Sequence, residues 1–241
     1  MSTVDWYGNV SLVVFFAGCN FRCPYCQNSG LIPLDSGAEV NLDLLRKRIE
    51  YGLNLIDAVV FTGGEPLLQP ESIKEAGKLV KDFGLKLMLD TNGSIPTVVE
   101  QLLDLRLVDR VALDVKAPFT VEEYKKAAGL NSDGDAIVDG VRCTLELCNI
   151  RNIDVEVRTT VAPTVSDDPD FIRCIAKEIR GRCAVYYLQQ FDNTGEVLSS
   201  KLKAMSPPTR EKMVELAEAA IGVGLRDVYI KTRKLGLEKI E

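Results

Sequence analysis

Six short apolar, β-branched runs recur along the chain, and each ends in a polar or glycine-containing turn: VSLVVFFAGCN, IDAVVFTGGEP, LKLMLDTNG, RVALDVKAP, DVEVRTTVAP and AVYYLQQFDNTG. Runs that stay apolar instead of alternating read as strands buried on both faces of a parallel sheet, with chemistry left for their C-terminal ends. Between them lie segments of helical period, at Leu42–Tyr51, Glu71–Phe83, Thr97–Leu105, Val121–Ala128, Asp168–Arg180 and Thr209–Val223. Strand alternating with helix implies right-handed βα units. Six such units, with a last strand expected at Asp227–Thr232, fall short of the eight that close a barrel. The expected fold is therefore α/β, a partial (β/α)6 TIM-like barrel with parallel strands, with a doubly wound open sheet as the alternative. In either architecture ligands gather at the C-terminal strand ends. No Pro/Gly/Ser-rich linker divides the chain, so residues 1–241 are read as one domain. Gly129–Gly140 reads as an acidic loop, and Ser206–Pro208 as a turn ahead of a helix.

Composition removes several function classes. The chain is 46% hydrophobic, enough for a buried core. Its net charge is -6 and no basic run of five residues occurs, so nucleic acid is not expected as a partner. The early apolar run Leu12–Ala17 is far shorter than the roughly 20 residues that span a bilayer, so no membrane helix is expected. FAGC, ending at Cys19, has the look of a lipoprotein cleavage box, but residues 1–10 hold no Lys or Arg and the positive start of an export signal is missing. Seven cysteines, an odd number without an export signal, point to the reducing cytoplasm and to free thiols. Histidine is absent, which excludes a Ser-His-Asp triad, a Cys-His pair and a His-ligated zinc site. Chemistry then rests on carboxylates, lysine, thiolates or a cofactor.

The stretch GCNFRCPYCQN, residues 18–28, places Cys19, Cys23 and Cys26 in one loop after the first strand. Structural zinc closes four ligands, yet no further Cys follows until Cys143. A cubane iron-sulfur cluster takes one thiolate per iron, so three cysteines would leave one iron open. The spacing alone leaves zinc or an ordinary electron-transfer cluster open. Other strand ends carry unusual residues: Gly63, Gly64 and Glu65 in TGGEP, Asp90 and Asn92 in DTNG, Asp114 and Lys116 in DVK, and Arg158 in VEVRTTVAP. Paired glycines can merely shape a turn, and charged strand ends can merely meet solvent. The four remaining cysteines, Cys143, Cys148, Cys174 and Cys183, show no ligand spacing and read as small core residues.

C-x3-C-x-aromatic-C, here Cys19, Cys23, Tyr25 and Cys26, resembles the signature of the radical S-adenosylmethionine (radical SAM) enzymes. The resemblance covers nearly the whole chain, and its opening, WYGNVSLVVFFAGCNFRCPYCQNSGLIP, is similar to the activating proteins of anaerobic ribonucleoside-triphosphate reductase and other glycyl-radical-enzyme activating enzymes. It implies that Cys19, Cys23 and Cys26 hold a 4Fe-4S cluster and are catalytic, the open iron being ligated by S-adenosylmethionine. Tyr25, Gly63, Gly64, Glu65, Asp90, Asn92, Asp114, Lys116 and Arg158 are then expected around that cofactor, Glu65 suiting its ammonium group and Arg158 addressing its carboxylate bidentately. Asp192 departs from the pattern, since pyruvate formate-lyase activators carry histidine near this place. The implied reaction is one-electron cleavage of S-adenosylmethionine to a 5'-deoxyadenosyl radical, which installs a glycyl radical on anaerobic ribonucleotide reductase. Ferredoxin or flavodoxin is the implied electron donor. The alternatives are a radical enzyme acting on a small molecule or peptide, such as a 7-carboxy-7-deazaguanine synthase, and a non-catalytic iron-sulfur or zinc-binding protein.

Overall fold

The structure, a computed structural model, describes residues 1–131 and 134–241. Its framework is one eight-stranded sheet whose strands are ordered as in the sequence: β1 (Ser11–Phe16), β2 (Ala58–Gly63), β3 (Lys86–Thr91), β4 (Arg110–Asp114), β5 (Asp154–Val161), β6 (Val185–Gln190), β7 (Val228–Thr232) and β8 (Gly236–Ile240). The first seven are parallel and β8 returns antiparallel on β7. Among the described residues β1 and β8 do not pair, so the barrel is partial and open between them.

The helices are α1 (Leu42–Gly52), α2 (Pro70–Asp82), α3 (Pro96–Asp104), α4 (Val121–Ala128), α5 (Gly134–Ile150), α6 (Pro169–Ile179), the short α7 (Ser200–Lys203) and α8 (Arg210–Ile221). Local chemistry starts them where the period begins. Asn41, Thr120, Asp168 and Thr209 each accept a hydrogen bond from a first-turn amide, and Pro70, Pro96 and Pro169 stand at helix starts, where a missing N–H costs nothing. None of the described helices is long and apolar enough to cross a membrane.

One expectation needs correction, and one further strand was not expected. The acidic segment 134–140 is the first part of α5, not a loop; residues 132–133 lie outside the described residues. Its helical period was obscured by Gly134 and Gly140, yet both glycines serve contact. A Cβ on Gly134 would meet Val121 Cγ1 at 2.6 Å, and one on Gly140 would meet the Ser94 carbonyl oxygen at 2.7 Å. The strands expected from the sequence are all parallel; beyond them, Gly236 at φ 73° turns the chain back into the antiparallel β8.

The two faces of the sheet differ. Val59, Phe61, Leu87, Leu89, Val111 and Leu113 belong to the main core under the helices. The other face carries Val13, Ala58, Val60, Met88 and Ala112, over which Trp6 packs, itself 6% exposed. Strand alternation puts Thr62, Asp90, Asp114, Glu156 and Arg158 on this same inner face, nearer its C-terminal end. The segment before β1 is tied down: Ser2 pairs with Ser11, Arg158 Nη2 donates to the Asp5 carbonyl (2.9 Å) and Lys231 Nζ to that of Val4 (3.1 Å).

Candidate active site

The cysteine loop leaves the C-terminal end of β1 and is held from several sides. Gly18 N–H donates to Leu31 O (2.8 Å) and Cys19 N–H to Ile32 O (3.0 Å). Arg22 N–H reaches Ala128 O at the end of α4 (2.8 Å), where Gly129 at φ 63° passes so close that a Cβ would lie 2.1 Å from Arg22 O. Ser199 N–H and Leu198 N–H donate to Pro24 O and Cys26 O. Asn20 bonds Ser94 and Asn92 beyond β3. A loop without regular structure is thus fixed by backbone groups from elements far apart in sequence.

Within it Cys23 is buried while Cys19 and Cys26 are partly exposed. Burial pushes the Cys23 thiol up to about 12, with Lys116 opposing and the neighbouring Cys19 and Cys26 adding to the rise. Cys19 is raised for the same first reason, and the Phe21 amide, which donates to its Sγ at 3.4 Å, works against it. Tyr25 is 4% exposed and its hydroxyl has no hydrogen-bond partner among the described residues; Tyr124 is buried as well.

The turn after β2 is joined to the end of β3. Glu65, 0% exposed, accepts from Leu67 N (3.1 Å), Thr91 Oγ1 (2.8 Å) and Asn92 N (2.7 Å). Its carboxylate therefore holds two strand ends together, with Oε1 accepting two of these bonds and Oε2 one. Asn92 in turn takes Ser94 N–H on its Oδ1 and gives Nδ2 to Asn20. The two glycines also admit the end of the first strand. A Cβ on Gly63 would lie 2.3 Å from Phe16 O, and one on Gly64 2.1 Å from Gly18 O.

Burial raises Glu65 to about 7 against three hydrogen bonds that favour the anion. The folded protein thus keeps a proton that the unfolded chain loses near the ordinary carboxylate value of 4.5. Stability from this group is full below about 4.5 and is lost as pH rises through about 7. Infrared difference titration should show a protonated carboxyl band that disappears with a midpoint near 7 and is missing from E65Q.

A second network crosses the inner face. Arg158 gives Nε to Glu156 (2.6 Å), Nη1 to Asp90 (3.1 Å) and Nη2 to the Asp5 carbonyl, and Thr62 Oγ1 also donates to Asp90 (2.9 Å). With one N–H each of Nε, Nη1 and Nη2 given to Glu156, Asp90 and the Asp5 carbonyl, Arg158 orients Asp90 here and keeps one further N–H on each terminal nitrogen. Burial raises the Asp90 carboxyl, while Arg158 pulls it down. Removing Arg158 would leave the buried Asp90 without its guanidinium partner and Glu156 with Arg110 alone; R158A should lose about 3–5 kcal/mol, seen as a thermal midpoint lower by roughly 10 °C. R158K should lose most of the same, since one ammonium cannot serve three divergent acceptors. Beside this network Lys116 Nζ pairs with Asp114 (2.5 Å), which holds the lysine well above its usual range despite burial.

Thr62, Glu156 and Asn20 were not singled out from the sequence. Glu156 was within reach, since it stands two residues before Arg158 on a strand and so shares its face. Asp192 caps its own turn, accepting from Thr194, while its carbonyl takes Gln27 Nε2 (2.9 Å). Burial holds for Cys148, but Cys143 and Cys174 are exposed on α5 and α6, and Cys183 is only partly covered.

The loop offers three thiols, Cys19, Cys23 and Cys26; four ligands close a structural zinc site, whereas three thiolates would leave one iron of a cubane open. A cubane bonds each thiolate to a different iron and needs them spread around a volume. The three thiols are close enough to shift one another, and Lys116 is the cation that both Cys19 and Cys23 feel.

Residues 13–175 match the model of the radical SAM superfamily. A Methanocaldococcus jannaschii protein carrying the provisional name of glycyl-radical enzyme activating enzyme is 34% identical over 220 residues, 91% of this chain and 88% of that protein. The pyruvate formate-lyase-activating enzyme of Clostridium pasteurianum is 33% identical over 185 residues, 75% of this chain and 73% of its own. In fold, the crystal structure of a radical SAM methyltransferase from Sphaerobacter thermophilus superposes with a TM-score of 0.72 at 13% identity, covering 94% of this chain and 67% of that one. The family works with a 4Fe-4S cluster and S-adenosylmethionine, which the three-thiol loop suits. A match across two-thirds of the chain, joined to a relative aligned nearly end to end, places this protein in the radical SAM superfamily, within its glycyl-radical-enzyme activating group.

Proposed function

We propose that this protein activates a glycyl radical enzyme, with anaerobic ribonucleotide reductase as the partner and a reduced ferredoxin or flavodoxin as electron donor. The observation that carries the reading is a loop holding three thiols and no fourth, at the open C-terminal mouth of the sheet. When bound, the reduced cluster supplies the electron that divides S-adenosylmethionine into methionine and a 5'-deoxyadenosyl radical able to take hydrogen from a glycine Cα. Cys19, Cys23 and Cys26 would hold the cluster, and Tyr25 would wall it on the protein side. The backbone of Gly63 and Gly64, with Asp90, Asp114 and Lys116, would line the cofactor, while Glu65, Asn92 and Arg158 fix their positions. A partial barrel with an open mouth suits a protein loop as substrate better than an enclosed small molecule.

The test begins with anaerobically reconstituted protein, dithionite and S-adenosylmethionine, with 5'-deoxyadenosine quantified. Addition of anaerobic ribonucleotide reductase should then give a glycyl radical signal in electron paramagnetic resonance. 5'-Deoxyadenosine without that signal would move the choice to another glycyl radical enzyme or to a small-molecule substrate. A stable cluster with no 5'-deoxyadenosine, or bound zinc, would favour a non-catalytic metal protein.

A further inference from the structure

Among the described residues β1 pairs with one strand, β2, and beyond the Ser2–Ser11 bridge its other edge is open. Ladder parity decides which groups that edge presents. Val10 O accepts from Ala58 N–H and Phe16 O from Gly64 N–H, so Val10, Leu12, Val14 and Phe16 bond toward β2. Ser11, Val13, Phe15 and Ala17 then face outward. Ser11 is paired with Ser2, and the Ala17 carbonyl takes Gln69 Nε2 at 2.9 Å. Between them, the N–H and C=O groups of Val13 and Phe15 have no partner among the described residues.

An unpaired edge is ordinarily blunted by charge, proline or a bulge, and SLVVFF contains none of these. The edge instead opens on a groove of about 1190 Å³ walled by the segment 34–45 and the start of α2. Its lining includes exposed apolar side chains, Phe15 (56%), Leu34 (64%) and Val40 (61%). Its charged residues are Asp35, Glu39, Asp43 and Glu75 against Arg48 alone. The strand beside it runs directly into Gly18 and the cysteine loop.

We infer that the β1 edge receives an extended basic and apolar segment of the partner protein, paired as an added strand through Val13 and Phe15. Backbone pairing requires an extended chain, the alternate pockets take apolar side chains, and the acidic rim selects lysine or arginine. A second copy of this chain is disfavoured, because edge-to-edge pairing would bring two acidic rims together. The inference rests on the activating-enzyme reading only in taking the partner to be a protein.

The probe is a fluorescein-labelled, nine-residue peptide of alternating lysine and valine, added to the reconstituted holoenzyme. Binding should slow amide hydrogen exchange at Val13 and Phe15, by about tenfold or more at saturation. The same peptide N-methylated at every residue, and a version with glutamate for lysine, should each bind at least about tenfold more weakly. The double variant D35K/E39K should weaken binding of the lysine peptide at least about fivefold. It should leave the thermal midpoint and 5'-deoxyadenosine formation unchanged, since both residues are exposed and outside the cysteine site. Equal binding by the N-methylated or acidic peptide, or unchanged exchange at Val13 and Phe15, overturns the proposal. So does a dimer in sedimentation that itself protects those two amides. Because 5'-deoxyadenosine is measured separately, failure at the edge is distinct from failure of the activating-enzyme reading.

Discussion

Alanine at any one of Cys19, Cys23 or Cys26 is expected to abolish 5'-deoxyadenosine formation and to leave the reconstituted protein with substoichiometric iron and sulfide. The loss should exceed the roughly 10–100-fold that removal of a mere outer-shell partner costs a metal site. The three positions differ in how the loss arises. Cys23 is buried against Tyr25 and Phe21, so its alanine also leaves a small void, whereas Cys19 and Cys26 are partly exposed and their alanines should fold with an unchanged thermal midpoint. Iron content, the visible charge-transfer band and 5'-deoxyadenosine should fall together in all three. A variant that retains both cluster and cleavage would remove that cysteine from the ligand set. Alanine at exposed Cys143 or Cys174 should change none of these quantities.

Gly64→Ala carries the second large effect, through packing alone. The added Cβ would lie 2.1 Å from Gly18 O, 2.7 Å from Gly18 C and 3.1 Å from Leu31 O, all backbone atoms that no rotamer change can move. Gly18 O is also the acceptor for Glu65 N–H at 2.6 Å, so relief by displacement breaks that bond and shifts the residue next to Cys19. We expect a loss of about 3 kcal/mol, a thermal midpoint lower by roughly 6–12 °C, and cofactor cleavage reduced along with it. Gly195→Ala is the matched control, since nothing lies within 4 Å of its added methyl group; it should change stability by no more than about 0.5 kcal/mol. If G64A melts as the unchanged protein does, the close approach of the β2 turn to the cysteine loop is wrong.

Much of the architecture was legible because it is local. An apolar run ending in a turn signals a buried strand, and capping residues mark helix starts, so α4 over Val121–Ala128 could be read to the residue. The C-x3-C-x2-C spacing is local as well, and it carried the family. α5 was misread in its first turns because glycine weakens a helical pattern, and only the contacts with Val121 and Ser94 show why glycine stands there.

The roles within the mouth of the sheet were less accessible. Glu65 meets Thr91 and Asn92, and Arg158 meets Asp90 and Asp5, across separations of 26, 27, 68 and 153 residues. The first three meetings follow from parallel register, which brings strand ends together whatever their distance along the chain, and the last from the segment before β1 lying over the inner face. The sequence by itself determined the βα order, the three-thiol loop and the residue types at each strand end, because these depend on neighbours within a few positions. Only the tertiary structure decided which of those residues bond one another across the mouth of the sheet. A buried carboxylate or guanidinium bonds whatever donors and acceptors the fold sets beside it, and one strand edge stays open because no other strand arrives there.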